Sequence, residues 1–268
     1  IYRPGIWYLN PYLNDTDPSY ISQGNSELDS EKSHAFNLSY SNFTQKFNIN
    51  LSARYSFTNN SIENVTKLMP DTEIEGLKNP TGKDVLYSTY ANIGKTRRAS
   101  VSAYVNWNAT PRTRIYMNMS GDYSYMEGSE GMRNDGWSLF AYGGAQQTLP
   151  HDWRISLNVF GQTPWIMLQG KGSSFFDYGL SVNKSFLNKR LTLSAFASNF
   201  FKKYMDQSST TEGAGFIRES SYKYSRQRFG ISVSYRIGEL KASVKKAART
   251  ISNDDVKSGG SGSGGGGE

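Results

Sequence analysis

The chain has 268 residues, no cysteine, a net charge of +7 and 37% hydrophobic residues, with 18 Tyr, 14 Phe and 5 Trp. Without cysteine there are no disulfides, thiolate nucleophiles or cysteine-zinc sites, and the longest unbroken hydrophobic runs, such as Ile6–Leu9, are four residues where a spanning helix needs roughly 20. The charge is dispersed outside Lys95–Arg98 and Leu240–Arg249, and with no recognition helix or stacking module beside it, nucleic acid is not an expected partner.

In chain order, Tyr2 to Leu9 is expected to be a truncated strand and residues 9–32 a long loop. From there alternation with period two dominates, the pattern of a strand with unlike faces. Phe47, Ile49, Leu51, Ala53, Tyr55 and Phe57 share one face, opposite Asn48, Asn50, Ser52, Arg54 and Ser56. This run is expected to continue past Ser61, and its successor to begin near Leu86, with Ala99, Val101, Ala103, Val105 and Trp107 on its apolar face. The turn "NATPRT" follows, then Ile115, Met117, Met119, Gly121 and Tyr123.

Trp137, Leu139, Ala141 and Leu149 precede the turn "PHD", after which Trp153, Ile155, Leu157 and Val159 alternate with Arg154, Ser156 and Asn158. A further hairpin runs through "FDYGLSVNKSF", "LNK" and "RLTLSAFASNF", and the last strand is "QRFGISVSYRIG". Tight turns therefore alternate with longer, polar connections at residues 9–32, 60–85, 127–136, 169–174 and 208–216. Phe43, Phe47, Trp107, Trp153 and Phe186 lie beside the tight turns on apolar faces, where an interfacial girdle would sit.

The reading is all-β: part of an antiparallel up-and-down transmembrane barrel of about ten strands, with short periplasmic turns and long extracellular loops. A soluble β-sandwich binding module is the alternative from composition, and it would not sort turns and loops to opposite ends. Residues 1–238 form the barrel part, and residues 239–268, ending in "SGGSGSGGGGE", a flexible tail. No pattern supports enzyme activity: His34 and His151 have no motif partner, and "QGKGSS" lacks phosphate-loop spacing. "NDTDPS", Asn14 to Ser19, could offer oxygen ligands to calcium, but Asp and Asn in turns explain it as well. No cofactor is expected.

Five stretches then carry a likeness to known proteins: "RPGIWYLNPYLNDTDPSYISQGNSELDSEKSHAFNLSY", "YANIGKTRRASVSAYVNWN", "LPHDWRISLNVFGQTPWIMLQGK", "GLSVNKSFLNKRLTLSAFASNFF" and "ISVSYRIGELKASVKKAARTISNDD". From Arg3 to Asp255 the chain resembles the C-terminal barrel region of TonB-dependent outer-membrane receptors of the Bacteroidota type. The resemblance implies a barrel of about 22 strands around a plug, located in the outer membrane of a Gram-negative cell and driven through TonB. With neither plug nor TonB box in view, the chain is expected to be the last portion of a longer receptor, entered at Ile1 on a rising strand. Uptake of a large or scarce solute is implied, such as a metal chelate, glycan or peptide, with a surface lipoprotein as a further partner in some receptors.

Arg228, Gly230, Val233 and Tyr235 match the family's assembly signal, which implies recognition by the barrel-assembly machinery. In such a barrel Asn48, Asn50, Arg54, Arg114, Asn118, Asp122, Arg154 and Asn158 are expected to face the lumen, the apolar set to face lipid, and the tail to be periplasmic. Trp7, Tyr8, Tyr12 and Tyr20 are candidate substrate contacts in the loops. A self-contained small barrel with a structural or adhesive role stays open, since about ten strands could close alone.

Overall fold

The computed structural model describes residues 1–237; Gly238 and the expected tail, 239–268, lie outside the described residues. Among those residues there are fifteen strands rather than about ten. They are β1 (Asn14–Asp17), β2 (Tyr20–Ser22), β3 (Lys32–Phe43), β4 (Phe47–Pro70), β5 (Asp84–Thr110), β6 (Thr113–Glu127), β7 (Arg133–Leu149), β8 (Trp153–Gln162), β9 (Ile166–Met167), β10 (Gly170–Lys171), β11 (Phe175–Phe186), β12 (Leu191–Ser198), β13 (Tyr204–Gly213), β14 (Phe216–Ser225) and β15 (Arg228–Tyr235). The expected strand at Tyr2 to Leu9 is instead one bridge, Tyr2 to Glu31, followed by a single helical turn, α1 (Ile6–Leu9).

The count rises because the loops form strands of their own and two long strands break. β12 and β13 are successive parts of one path, as are β14 and β15. Asn199 makes the first break: it is buried, adopts φ 49°, and closes on Tyr178 through both its backbone N–H (2.9 Å) and its side-chain oxygen (3.2 Å). Asparagine tolerates this left-handed conformation because its short side chain bonds locally. The same device recurs in β4, where Asn60 (φ 65°) sits in a register irregularity opposite β5. The expected loop at 208–216 is thus the tip of a β13–β14 hairpin, and much of 60–85 is strand, as the extended alternation anticipated.

The main sheet is an antiparallel meander, β3-β4-β5-β6-β7-β8-β11-β12-β15, and β2 lies parallel against β5 where β6 no longer covers it. A second sheet, β14-β13-β10-β9, belongs to the long-loop end. Four tight turns, at 44–46, 111–112, 150–152 and 187–190, mark the opposite, short-turn rim. The sheet ends at β3 on one side and β15 on the other, so it is open between them.

Two packing regimes divide the fold by height. At the long-loop end burial is ordinary: Ile21, Ile74 and Val85 form one cluster with Leu13, Met69, Leu77 and Tyr87, and Met126, Ile166 and Leu168 form another with Ile93 and Met132. In the meander below, burial is inverted. Val101 is 63% exposed and Leu139 53%, while Asn106 on the other face is 9% exposed.

Candidate functional site

Register across the meander turns each strand's alternation into continuous rows. One apolar row reads Leu51, Ala103, Met119 and Ala141 through β4, β5, β6 and β7, and another reads Ile155, Val182, Ala195 and Ile231 through β8, β11, β12 and β15. Near the short turns Phe47, Trp107, Trp153 and Phe186 stand on this face as expected. Phe43 does not: it pairs with Asn48, on the polar face, because the turn at 44–46 fixes the β3 register one residue away. A second aromatic row, absent from the sequence reading, closes the top of the apolar band at Tyr55, Tyr123 and Trp137, with the last two rings 5.4 Å apart.

The exposed apolar band is large. Eight gaps of about 4.8 Å by about 27 Å of strand give on the order of 1,000 Å², well beyond the few hundred expected of a monomer in water. A sheet of this kind needs hydrocarbon against it.

The model of the outer membrane protein beta-barrel family matches residues 1–235. The chain belongs to that family. It is a protein of the outer membrane, and no curated protein matches it. Membership assigns the solvent of the apolar band to lipid and displaces the soluble sandwich.

In this barrel-family sheet the polar face is a network assembled across strands. Arg114 donates from Nε to Asn106 Oδ1 at 2.6 Å, and its guanidinium lies 5.8 Å from the Tyr116 ring centre. The Tyr116 hydroxyl donates in turn to Asn158 Oδ1. Asn50 Nδ2 donates to Ser41 at 2.7 Å, Ser100 Oγ donates to Asp122, and Asn48 pairs with Asn106 in register. Arg54 lies between Asn37 and Ser100, Asn118 between Tyr104 and Tyr142, and Arg154 between Thr148 and Asn183.

The same face carries an aromatic ladder that the expectation of a polar surface missed. Phe140 packs on Phe160 (5.3 Å between ring centres), Phe160 on Phe175 (4.7 Å), and Tyr142 on Tyr116 (5.8 Å). Following the alternation two residues beyond Asn158 would have reached Phe160. Level with Phe160, its register partner, Asp177 accepts from Arg226 at 2.6 Å, and Asn199 Nδ2 donates to the other carboxylate oxygen at 2.7 Å. Tyr142, Asn158, Phe160, Asp177, Arg226 and Arg228 line a 260 Å³ cavity here.

Over the long-loop end, separate loops are tied together. Gln169 bonds the Thr66 backbone twice, accepting from N–H at 2.7 Å and donating to C=O at 2.9 Å. Lys67 pairs with Glu130 at 2.7 Å, and Arg218 of β14 stacks 3.8 Å from the centre of the Tyr20 ring. Asp71 accepts from Thr81 N–H (2.6 Å), Thr81 Oγ1 (2.8 Å) and Gly82 N–H (2.7 Å), bonds that hold its carboxyl below the usual range, the Thr81 N–H most of all. Of the loop candidates, Tyr8 packs edge-on against Tyr90 and Tyr20 is occupied by Arg218, while Trp7 and Tyr12 are open.

The remaining sequence candidates are turn and strand features. Asn14 and Asp17 accept bonds from Thr16 and Ser19, His34 stacks on Phe57, and the His151 carbonyl accepts from Lys184. Among the described residues no group of three or more His, Cys, Asp or Glu could hold a metal ion.

Proposed function

We propose that this chain is the C-terminal portion of a TonB-dependent outer-membrane transporter, with short turns in the periplasm and long loops outside. The polar face then lines the lumen, and β15, the last strand among the described residues, meets the barrel-assembly machinery. The observation that carries this reading is strand parity. β3, β5, β7, β11 and β15 run toward the short-turn rim and β4, β6, β8 and β12 away from it. Both edge strands therefore run the same way. An all-antiparallel barrel can close between them only through an odd number of additional strands, which a larger receptor supplies.

The tall, cross-linked loops support a receptor's outer mouth, where Trp7 and Tyr12 are free to meet a solute. The test is the native reading frame and its phenotype. A plug-encoding segment should precede Ile1, and a deletion strain should lose TonB-dependent growth on a limiting glycan, peptide or metal chelate. A signal sequence directly before Ile1 with no plug would overturn the reading.

A further inference from the structure

Dispersed in sequence, the carboxylates are sorted in space, while basic residues stand at both ends. The short-turn rim carries Lys46, Arg112, Arg114, Arg154, Lys189 and Arg190, and its one carboxylate among the described residues is Asp152. Acids collect at the other end, for instance Asp71, Glu127, Glu130 and Asp135. A basic residue recurs beside each tight turn.

Lys184 is the informative member. Between the two aromatic rows it is the one charged side chain on the lipid-facing side among the described residues, in register with Trp153 and Leu193. Its ammonium lies 5.3 Å from the ring centres of both Trp153 and Phe186, and donates to the His151 carbonyl in the adjacent turn. An ammonium carries three donors, and aromatic belts sit at headgroup depth. The charge is thus held at the level of lipid phosphates, pointing toward the rim.

We propose that Lys184, framed by Trp153 and Phe186, binds the phosphate of an anionic phospholipid in the leaflet at the short-turn rim. The neighbouring rim cations add a field that favours negative headgroups. A soluble acidic partner could reach Arg114 and Arg154 on the inner face. It would not reach Lys184, whose neighbours on the face, Val182, Leu193 and Ile155, look into hydrocarbon. The inference rests on outer-membrane location alone, not on transport.

The test uses the protein from its native reading frame, in phosphatidylcholine nanodiscs holding a little spin-labelled phosphatidylglycerol or spin-labelled phosphatidylcholine. Electron paramagnetic resonance then reads the fraction of label immobilised on the barrel. The wild type should prefer the glycerol lipid, Lys184→Gln should lower that preference roughly fivefold, the effect of one basic side chain near an anionic surface, and Lys184→Arg should retain it. Lys171→Gln, at the other end, should change nothing. Equal association of both lipids with the wild type, or an unaltered preference in Lys184→Gln, would overturn the proposal. So would displacement of the labelled lipid by inorganic phosphate but not by chloride of equal ionic strength, which assigns the site to a free anion. Displacement by an acidic peptide would assign it to a protein partner and overturn it as well.

Discussion

At Gly230 one ring decides which residue fits. A β-carbon there would lie 2.4 Å from Phe196 Cζ, the residue directly opposite in β12, so the glycine that the resemblance assigned to assembly also has a packing role. Gly230→Val is expected to cost about 1–3 kcal/mol through overpacking, read as a smaller heat-modifiable fraction on gels. Phe196→Ala in the same chain should restore much of it, a coupling that a double-mutant cycle detects. Inside and outside are tested at Ala103, where arginine in the apolar band should cost roughly 2–4 kcal/mol, measured by unfolding from lipid. Tyr104→Arg, one residue on, is the proper control because Tyr104 is 41% exposed on the polar face. Asn106 is a poor one, being buried and bonded to Arg114. Alternation made the two faces legible residue by residue. It could not show the Arg114–Asn106–Tyr116–Asn158 contacts, which exist only once strand register is set.

Among the elements, the long strands and tight turns were legible because they depend on local pattern, whereas the organisation of the loops was not. Short runs such as β9 and β10 carry no periodicity; they become strands because β13 pairs with β10 and β10 in turn with β9. The Gln169 contact joins residues 103 apart in sequence, a distance no local signal spans. Gln169→Ala should leave the Thr66 N–H and C=O without their partners, at about 1–3 kcal/mol each, so exchange of the Thr66 amide and proteolysis of 163–174 should both accelerate. Unchanged exchange would show that the loop is held by the Met126–Ile166–Leu168 cluster instead. Where β4 rises past Asn60, burial raises the Glu63 carboxyl above its usual range, against hydrogen bonds from Ser61 (2.7 Å) and Thr96 (3.3 Å), with Glu31 nearby adding to the rise. A folded pKa above the unfolded one means the native state binds the proton more tightly. Its stabilisation is full at pH below the ordinary carboxylate range and fades as pH rises through the raised value. Local opening around Ser61–Glu63, measured by amide exchange corrected for its intrinsic rate, should increase across that window. Glu63→Gln should flatten the dependence, and an undiminished slope in that variant would assign it to another group.

For the whole molecule the membrane class was legible from alternation and aromatic placement, while closure was not, because it depends on strand direction as well as number. About ten strands would have been an even set able to close antiparallel on itself. With Tyr2 to Leu9 no longer a strand, the meander has like-directed edges in β3 and β15. The consequence is measurable by cysteine cross-linking, to which residues 1–268 contribute no native thiol. In the full-length protein, Ile231→Cys in β15 can be combined in turn with Phe36→Cys, Leu38→Cys or Tyr40→Cys in β3. A disulfide needs α-carbons within about 7 Å, and adjacent strands lie about 4.8 Å apart, so strands that merely intervene between β15 and β3 put every one of these pairs out of reach. Leu193→Cys with Val233→Cys, in register on adjacent strands, provides the pair that should cross-link on oxidation. None of the β3–β15 pairs should do so; a cross-link in any of them would mean that the sheet seals itself with a parallel seam, and the larger barrel would no longer be required.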